Sequence, residues 1–137
     1  MISLATVTYV VRDYDEAIAW FIDVLGFQLI EDLRLSPGKR WVRVAAEAGG
    51  VCLLLAKAEG DAQQSAVSQV AGGRVAFFLH TSDFAASHAS MKAKGIVFRE
   101  SPRHESYGIV AVFDDLYGNG WDLIEHRHTE TLTLHQP

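Results

Sequence analysis

Apolar and polar positions follow two different periods along this chain, and each change of period marks a new element. Residues 4–11 are rich in Val, Thr and Tyr and predict a strand. Asp13 then caps a helix whose first turn carries Asp15 and Glu16, where carboxylates complement the helix dipole. Ala17, Ile18, Phe21, Ile22 and Leu25 recur at helical spacing, and Gly26 supplies the left-handed stop. Three further strands are predicted over 27–33, 40–46 and 51–57, joined by Ser36-Pro37-Gly38 and Gly49-Gly50 turns. Residues 58–73 read as a polar linker with a short helix over 62–69. Beyond it the pattern predicts a strand over 74–80, a helix over 83–94, and strands over 96–100, 107–113 and 120–126. Asp115 to Gly120 supplies the last turn, and 128–137 has no periodicity and is expected to be a loose tail.

The second set of elements repeats the first. Gly26 and Gly95 stand 69 positions apart, as do Asp13 and Ser82, and Leu53 and Asp122. The fold expected is therefore α+β, a single domain over 1–137 built from two βαβββ repeats (about 2–57 and 74–127) that form a cupped mixed sheet with helices on its outer face. Any site is then expected on the opposite, cupped face. Strand alternation assigns Thr6, Thr8 and Val10 to that face, and Val7, Tyr9 and Val11 to the helix side. Val51, Leu53 and Leu55 form another set, as do Arg74, Ala76, Phe78 and His80, and Asp122 with Ile124.

Composition narrows the partners. A net charge of -5 without a basic block repels a phosphate backbone, so nucleic acid is not expected. Cys52 is the only cysteine, which excludes an internal disulfide and a multi-cysteine zinc cage. The apolar first strand has no basic residues before it and is too short to span a bilayer, so no membrane association and a cytoplasmic location are expected.

Two motifs carry a resemblance. Val11-Arg-Asp13-Tyr14-Asp-Glu-Ala17-Ile18-Ala-Trp20-Phe21 leads to Leu25-Gly26-Phe27, and Val112-Phe113-Asp114-Asp115-Leu-Tyr-Gly118-Asn119-Gly-Trp121-Asp122-Leu123-Ile124-Glu125 closes the second repeat. In this order and spacing, over residues 2 to about 127, the chain resembles the vicinal oxygen chelate superfamily of glyoxalase I, extradiol dioxygenases and bleomycin resistance proteins. The resemblance implies four metal-ligand positions on the first and last strands of each repeat. They fall here at Thr6, Leu53, Arg74 (Val75 or Ala76 with a slip of register) and Asp122. Only Asp122 retains a ligating side chain, whereas Zn²⁺, Fe²⁺ or Ni²⁺ needs about three to four protein ligands. The expectation is thus no metal and no cofactor at that site, in keeping with the ligand-binding branch of the superfamily.

Arg74 and Asp122 form the sharpest remaining pair. Either Arg74 binds a ligand oxygen while Asp122 orients it, or the two make a structural ion pair in the place of the metal. Thr6, Thr8, Trp41, Leu53, Ala76 and Phe78 complete the expected ligand-binding set, with Trp41 either stacking on a flat ligand or belonging to the core. His80, Glu100, His104 and Tyr107 are acid–base candidates by residue type; the alternatives are a cap at the helix entry for His80 and a solvated loop for the others. His126 and His128 invite a metal reading, but they lie at or beyond the end of the last predicted strand and a solvated tail is the favoured account; Cys52 reads as a buried thiol.

The function expected is a metal-free small-molecule binder for a carbonyl-bearing, carboxylate-bearing or aromatic ligand. The alternative is a lyase, isomerase or dioxygenase whose metal is held through Asp122 and unconventional ligands such as His80, and a third is a module with a self-filled cup. Exposed sheet edges predict a homodimer.

Overall fold

In the computed structural model the described residues are 1–127, and the chain divides into two compact units, Met1–Gly72 and Gly73–Pro137. Unit 1 contains β1 (Thr6–Val11), helix α1 (Tyr14–Ala19) continued by a π turn (Trp20–Val24), β2 (Gln28–Ser36), β3 (Lys39–Ala45), β4 (Cys52–Lys57) and α2 (Gly60–Ala66). Unit 2 contains β5 (Val75–His80), α3 (Phe84–Ala93), β6 (Arg103–Glu105), β7 (Gly108–Asp114) and β8 (Gly120–His126). Each unit is a four-stranded mixed sheet, ordered β1-β4-β3-β2 in one and β5-β8-β7-β6 in the other. The α+β class and the two βαβββ units are as expected.

In both units the first strand pairs in parallel with the last, β1 with β4 and β5 with β8, and the helix between them covers one face. In unit 1 that face holds Tyr9, Val11, Val42, Val44, Leu53 and Leu55, all buried, with Phe21 packed edge-on to Tyr9 at 5.3 Å between ring centres. In unit 2 it holds Phe77 and Phe113 on either side of Trp121, 4.5 and 5.9 Å away. The helices start alike: Asp13 accepts from the Glu16 amide and Asp83 from the Ala86 amide. They also stop alike, at Gly26 and Gly95 with φ of 81° and 89°.

The repeat nevertheless differs by one residue from end to end. The capping aspartates are 70 positions apart and the glycine stops 69. The π turn takes up the difference, since its Leu25 amide reaches five residues back to the Trp20 carbonyl and so holds one more residue than an α-helical turn.

One predicted strand is not there. Of residues 96–100, only Phe98 pairs with β7, through an isolated bridge to Phe113. At the next ladder position the Val112 amide donates to the Glu100 side chain (Oε2, 3.0 Å) instead of to a backbone carbonyl. Pro102, which has no amide hydrogen, follows, and pairing resumes only at Arg103 opposite Val110. The second strand of unit 2 is therefore Arg103–Glu105, where the sequence reads as a loop.

The closing turn is organised by one buried carboxylate. Asp115 accepts from the amides of Tyr117 (2.9 Å) and Asn119 (3.0 Å) through Oδ1 and from the Trp121 indole (3.0 Å) through Oδ2. This is the physical content of the Asp115-to-Trp121 motif, because the same group shapes the turn and orients the largest core side chain. Asp115→Ala would leave these donors without their acceptor and should cost about 2–4 kcal/mol in urea unfolding with an unchanged m value; a loss under about 1 kcal/mol would contradict the assignment.

Candidate functional site

Register decides which side chains share the face away from the helix. In unit 1, β1 pairs Thr6 with Cys52, Thr8 with Leu54 and Val10 with Ala56, while Arg43 lies opposite Leu54. Thr6, Thr8, Trp41 and Arg43 thus lie on the helix-free face, as alternation predicts. Leu53 does not: it pairs with Val7 and Val44 on the helix side and is buried there. The last-strand residues on the helix-free face are Cys52, Leu54 and Ala56. The 69-residue spacing does not carry over to the paired strands: Thr8 and Phe78, 70 positions apart, lie opposite Leu54 and Asp122, so Leu54 holds the place in unit 1 that Asp122 holds in unit 2.

Glu31, Trp41, Arg43 and Cys52 are linked to one another on this face of unit 1. Glu31 accepts from the Trp41 indole (3.2 Å) and pairs with the Arg43 guanidinium, whose Nη1 lies 3.3 Å from Cys52 Sγ. These contacts, the one with Arg43 foremost, hold the Glu31 carboxyl below the usual range. Trp41 is therefore neither core nor a free platform, being tied by its indole to a carboxylate.

Unit 2 differs. Its helix-free face carries Phe78 beside Asp122, with Val112 on the other side of Asp122, and then His80, Ile124, Val110 and Arg103 in the next row. Phe78 is 57% exposed, a large apolar surface for a strand residue. Asp122 Oδ1 is buried without a hydrogen-bond partner, the one such side-chain atom among the described residues. Burial raises the Asp122 pKa; Arg103 nearby draws it down and Glu100 pushes it up. Arg103 is itself committed, donating to Glu100 (2.8 Å) and Glu105 (2.9 Å). Tyr107 also helps, after Glu100, to keep it protonated.

The expected pairing of Arg74 with Asp122 does not occur. Arg74 precedes β5 and is exposed, Asp122 lies opposite Phe78 four residues further on, and no ion pair joins them among the described residues. Ala76 falls in the irregularity of β5 between Val75 and Phe77. Of the acid–base candidates, Glu100 comes near Asp122, and Tyr107 is exposed near Arg103. His104 pairs with Ile109 on the helix side and is not part of this group. His80 is no helix cap, since Asp83 and Glu125 serve the α3 amides and its ring contacts His126 instead. His126 belongs to β8 rather than to a tail; His128 lies outside the described residues. Arg103 and Glu31 were missed because a single charge beside a proline or in a strand carries no signal of what faces it.

The donor set does not fit the superfamily's metal. Thr6 is a weak donor, Leu53 faces the helix, Arg74 is a cation, and no cluster of three or more His, Cys, Asp or Glu suited to a metal occurs among the described residues. The chemistry available around Asp122 is instead hydrogen bonding to an unpaired carboxyl beside an exposed aromatic ring.

Asp122 makes a stability prediction with a definite sign. Its folded pKa lies above the ordinary 3.8, so between the two values the folded state holds more protons than the unfolded chain and stability falls as pH rises through that window. Asp122→Asn should therefore be more stable than the wild type at pH 7, with the gap closing as pH falls towards 4. Urea unfolding at both pH values checks this, and a variant less stable than wild type at pH 7 would contradict it.

Comparison with known proteins agrees with the geometry. The family profile described as Glyoxalase/Bleomycin resistance protein/Dioxygenase superfamily matches residues 3–123. An uncharacterised protein of Shewanella frigidimarina (strain NCIMB 400) is 46% identical over 125 residues, covering 90% of this chain and 93% of that protein. Uncharacterised YurT of Bacillus subtilis (strain 168) is 30% identical over 113 residues, 80% of this chain and 87% of its own length. Among solved structures, UcmS2 superposes with a TM-score of 0.78 at 26% identity (90% of this chain, 98% of UcmS2). TnmS3, an antibiotic binding protein from Streptomyces sp. CB03234, superposes with a TM-score of 0.73 at 22% identity (93% and 98%). With the paired βαβββ units, the Asp115 turn and a profile match over most of its length, the chain belongs to the Glyoxalase/Bleomycin resistance protein/Dioxygenase superfamily.

Proposed function

We propose that this protein binds a small, flat aromatic molecule without a metal at the superfamily's usual position, and that Asp122 is the polar anchor of the site. One observation carries the reading: a buried carboxylate oxygen with no partner lies beside an exposed phenylalanine. A buried unpaired acceptor is costly, and a ligand hydrogen-bond donor would offset that cost on binding. The ligand class follows from charge. Asp122 and Glu100 disfavour a carboxylate, while the hydroxyl of a phenol or of a hydroxylated ring system suits Oδ1, and a ring carbonyl suits the protonated acid. Phe78 offers the stacking surface. TnmS3, which shares the fold, is described as an antibiotic binding protein, and polycyclic natural products are a sensible first library.

The same reading includes a homodimer. β2 is an edge strand of its sheet, with Leu29, Leu33 and Leu35 exposed along it. Sedimentation should give twice the chain mass at micromolar concentration; monomer alone would remove this part of the proposal.

A thermal-shift screen of hydroxylated aromatics against matched aromatic carboxylates tests the binding site. The neutral compounds should raise the unfolding midpoint, by mass action on the native state. The shift should vanish in Asp122→Ala, whose own midpoint is unchanged or higher. Hits retained by Asp122→Ala, or a preference for carboxylates, would overturn the assignment.

A further inference from the structure

We propose that His80 and His126 form a two-histidine chelate for a divalent late transition metal on the helix-free face of unit 2. Their Nε2 atoms are 3.3 Å apart, with ring centres separated by 4.5 Å and planes inclined at 70°. Two nitrogens bound at about 2.05 Å to a tetrahedral metal are separated by about 3.3 Å, so both lone pairs can meet one ion with little movement of either ring.

The backbone fixes this arrangement. His80 ends β5 opposite Ile124, and His126 is the next residue on the same face of β8. Neither ring makes another hydrogen bond among the described residues, which leaves each Nδ1 free to carry the proton when Nε2 binds metal. Both side chains are exposed, so water or a ligand's donors can complete the coordination sphere.

This site is distinct from the superfamily's metal position. Asp122 is four residues before His126 along β8, about 13 Å of strand, and Glu125 points to the opposite face, where it accepts from the Phe84 amide at 2.8 Å. Imidazole pairs with open positions suit Zn²⁺, Ni²⁺ and Cu²⁺ rather than Mg²⁺ or Ca²⁺. The inference does not depend on the ligand proposed for Asp122.

The test is calorimetric titration of metal-stripped, untagged protein with Zn²⁺ and, separately, Ni²⁺. One ion per chain is expected, with a matching rise in unfolding midpoint. His80→Ala and His126→Ala should each weaken binding about tenfold or more, because the second imidazole acts at high effective concentration once the first is bound. The double variant should bind no more tightly than either single one, and His104→Ala should bind like the wild type. Metal-free midpoints of all variants should match, as expected for exposed positions. Wild-type affinity in either single variant, or no binding by the wild type at millimolar metal, would overturn the proposal and leave the two rings as a hydrogen-bonded pair.

Discussion

The parallel pairing of the first and last strands in each βαβββ unit is the constraint on which the rest depends. Parallel neighbours need a long crossover, and the helix that provides it must cover one face of the sheet. That single requirement divides every strand into a helix-side set and a helix-free set. The helix-side sets, Tyr9, Leu53 and Leu55 in unit 1 and Phe77, Trp121 and Leu123 in unit 2, are apolar and tightly packed. Chemistry is left to the other face, and the register of β1 on β4 and of β5 on β8 decides which residues meet there.

On that face the units have diverged. Unit 1 pairs its charges, with Glu31 serving both Trp41 and Arg43. Unit 2 draws Arg103 away to Glu100 and Glu105 and leaves Asp122 Oδ1 buried and alone. Net burial of an unpaired carboxyl is unfavourable for the fold, which makes it informative about binding. The same logic favours Asp122 over the better-charged Arg74, an exposed residue outside the strand.

Much of the fold was legible because its signals are local. Glycine stops at Gly26 and Gly95, the aspartate cap at Asp13, and apolar alternation in β1 each report on their own neighbourhood, whereas the second cap is Asp83 and not the Ser82 that the 69-residue spacing pairs with Asp13. The errors arose where distant segments set the answer. The π turn adds one residue to the first helix, and the pairing of each last strand with its first strand breaks the uniform 69-residue spacing further, so that Leu54, not Leu53, lies opposite Thr8 as Asp122 lies opposite Phe78. The strand expected at 96–100 fails because a Glu100 side chain takes a backbone partner's place. Asp122 was found from its motif, but its lack of a partner, and the meeting of His80 with His126, follow from cross-strand register that no single segment encodes.

The central claim is that Asp122 is an unpaired, partly desolvated carboxyl, and an NMR titration of its side-chain ¹³C resonance tests this most directly. A midpoint above the ordinary aspartate value of 3.8 is predicted, because burial outweighs the pull of Arg103. A midpoint at or below that value would mean that a cation or donors satisfy the group, and the account of this face as a binding site would fail with it.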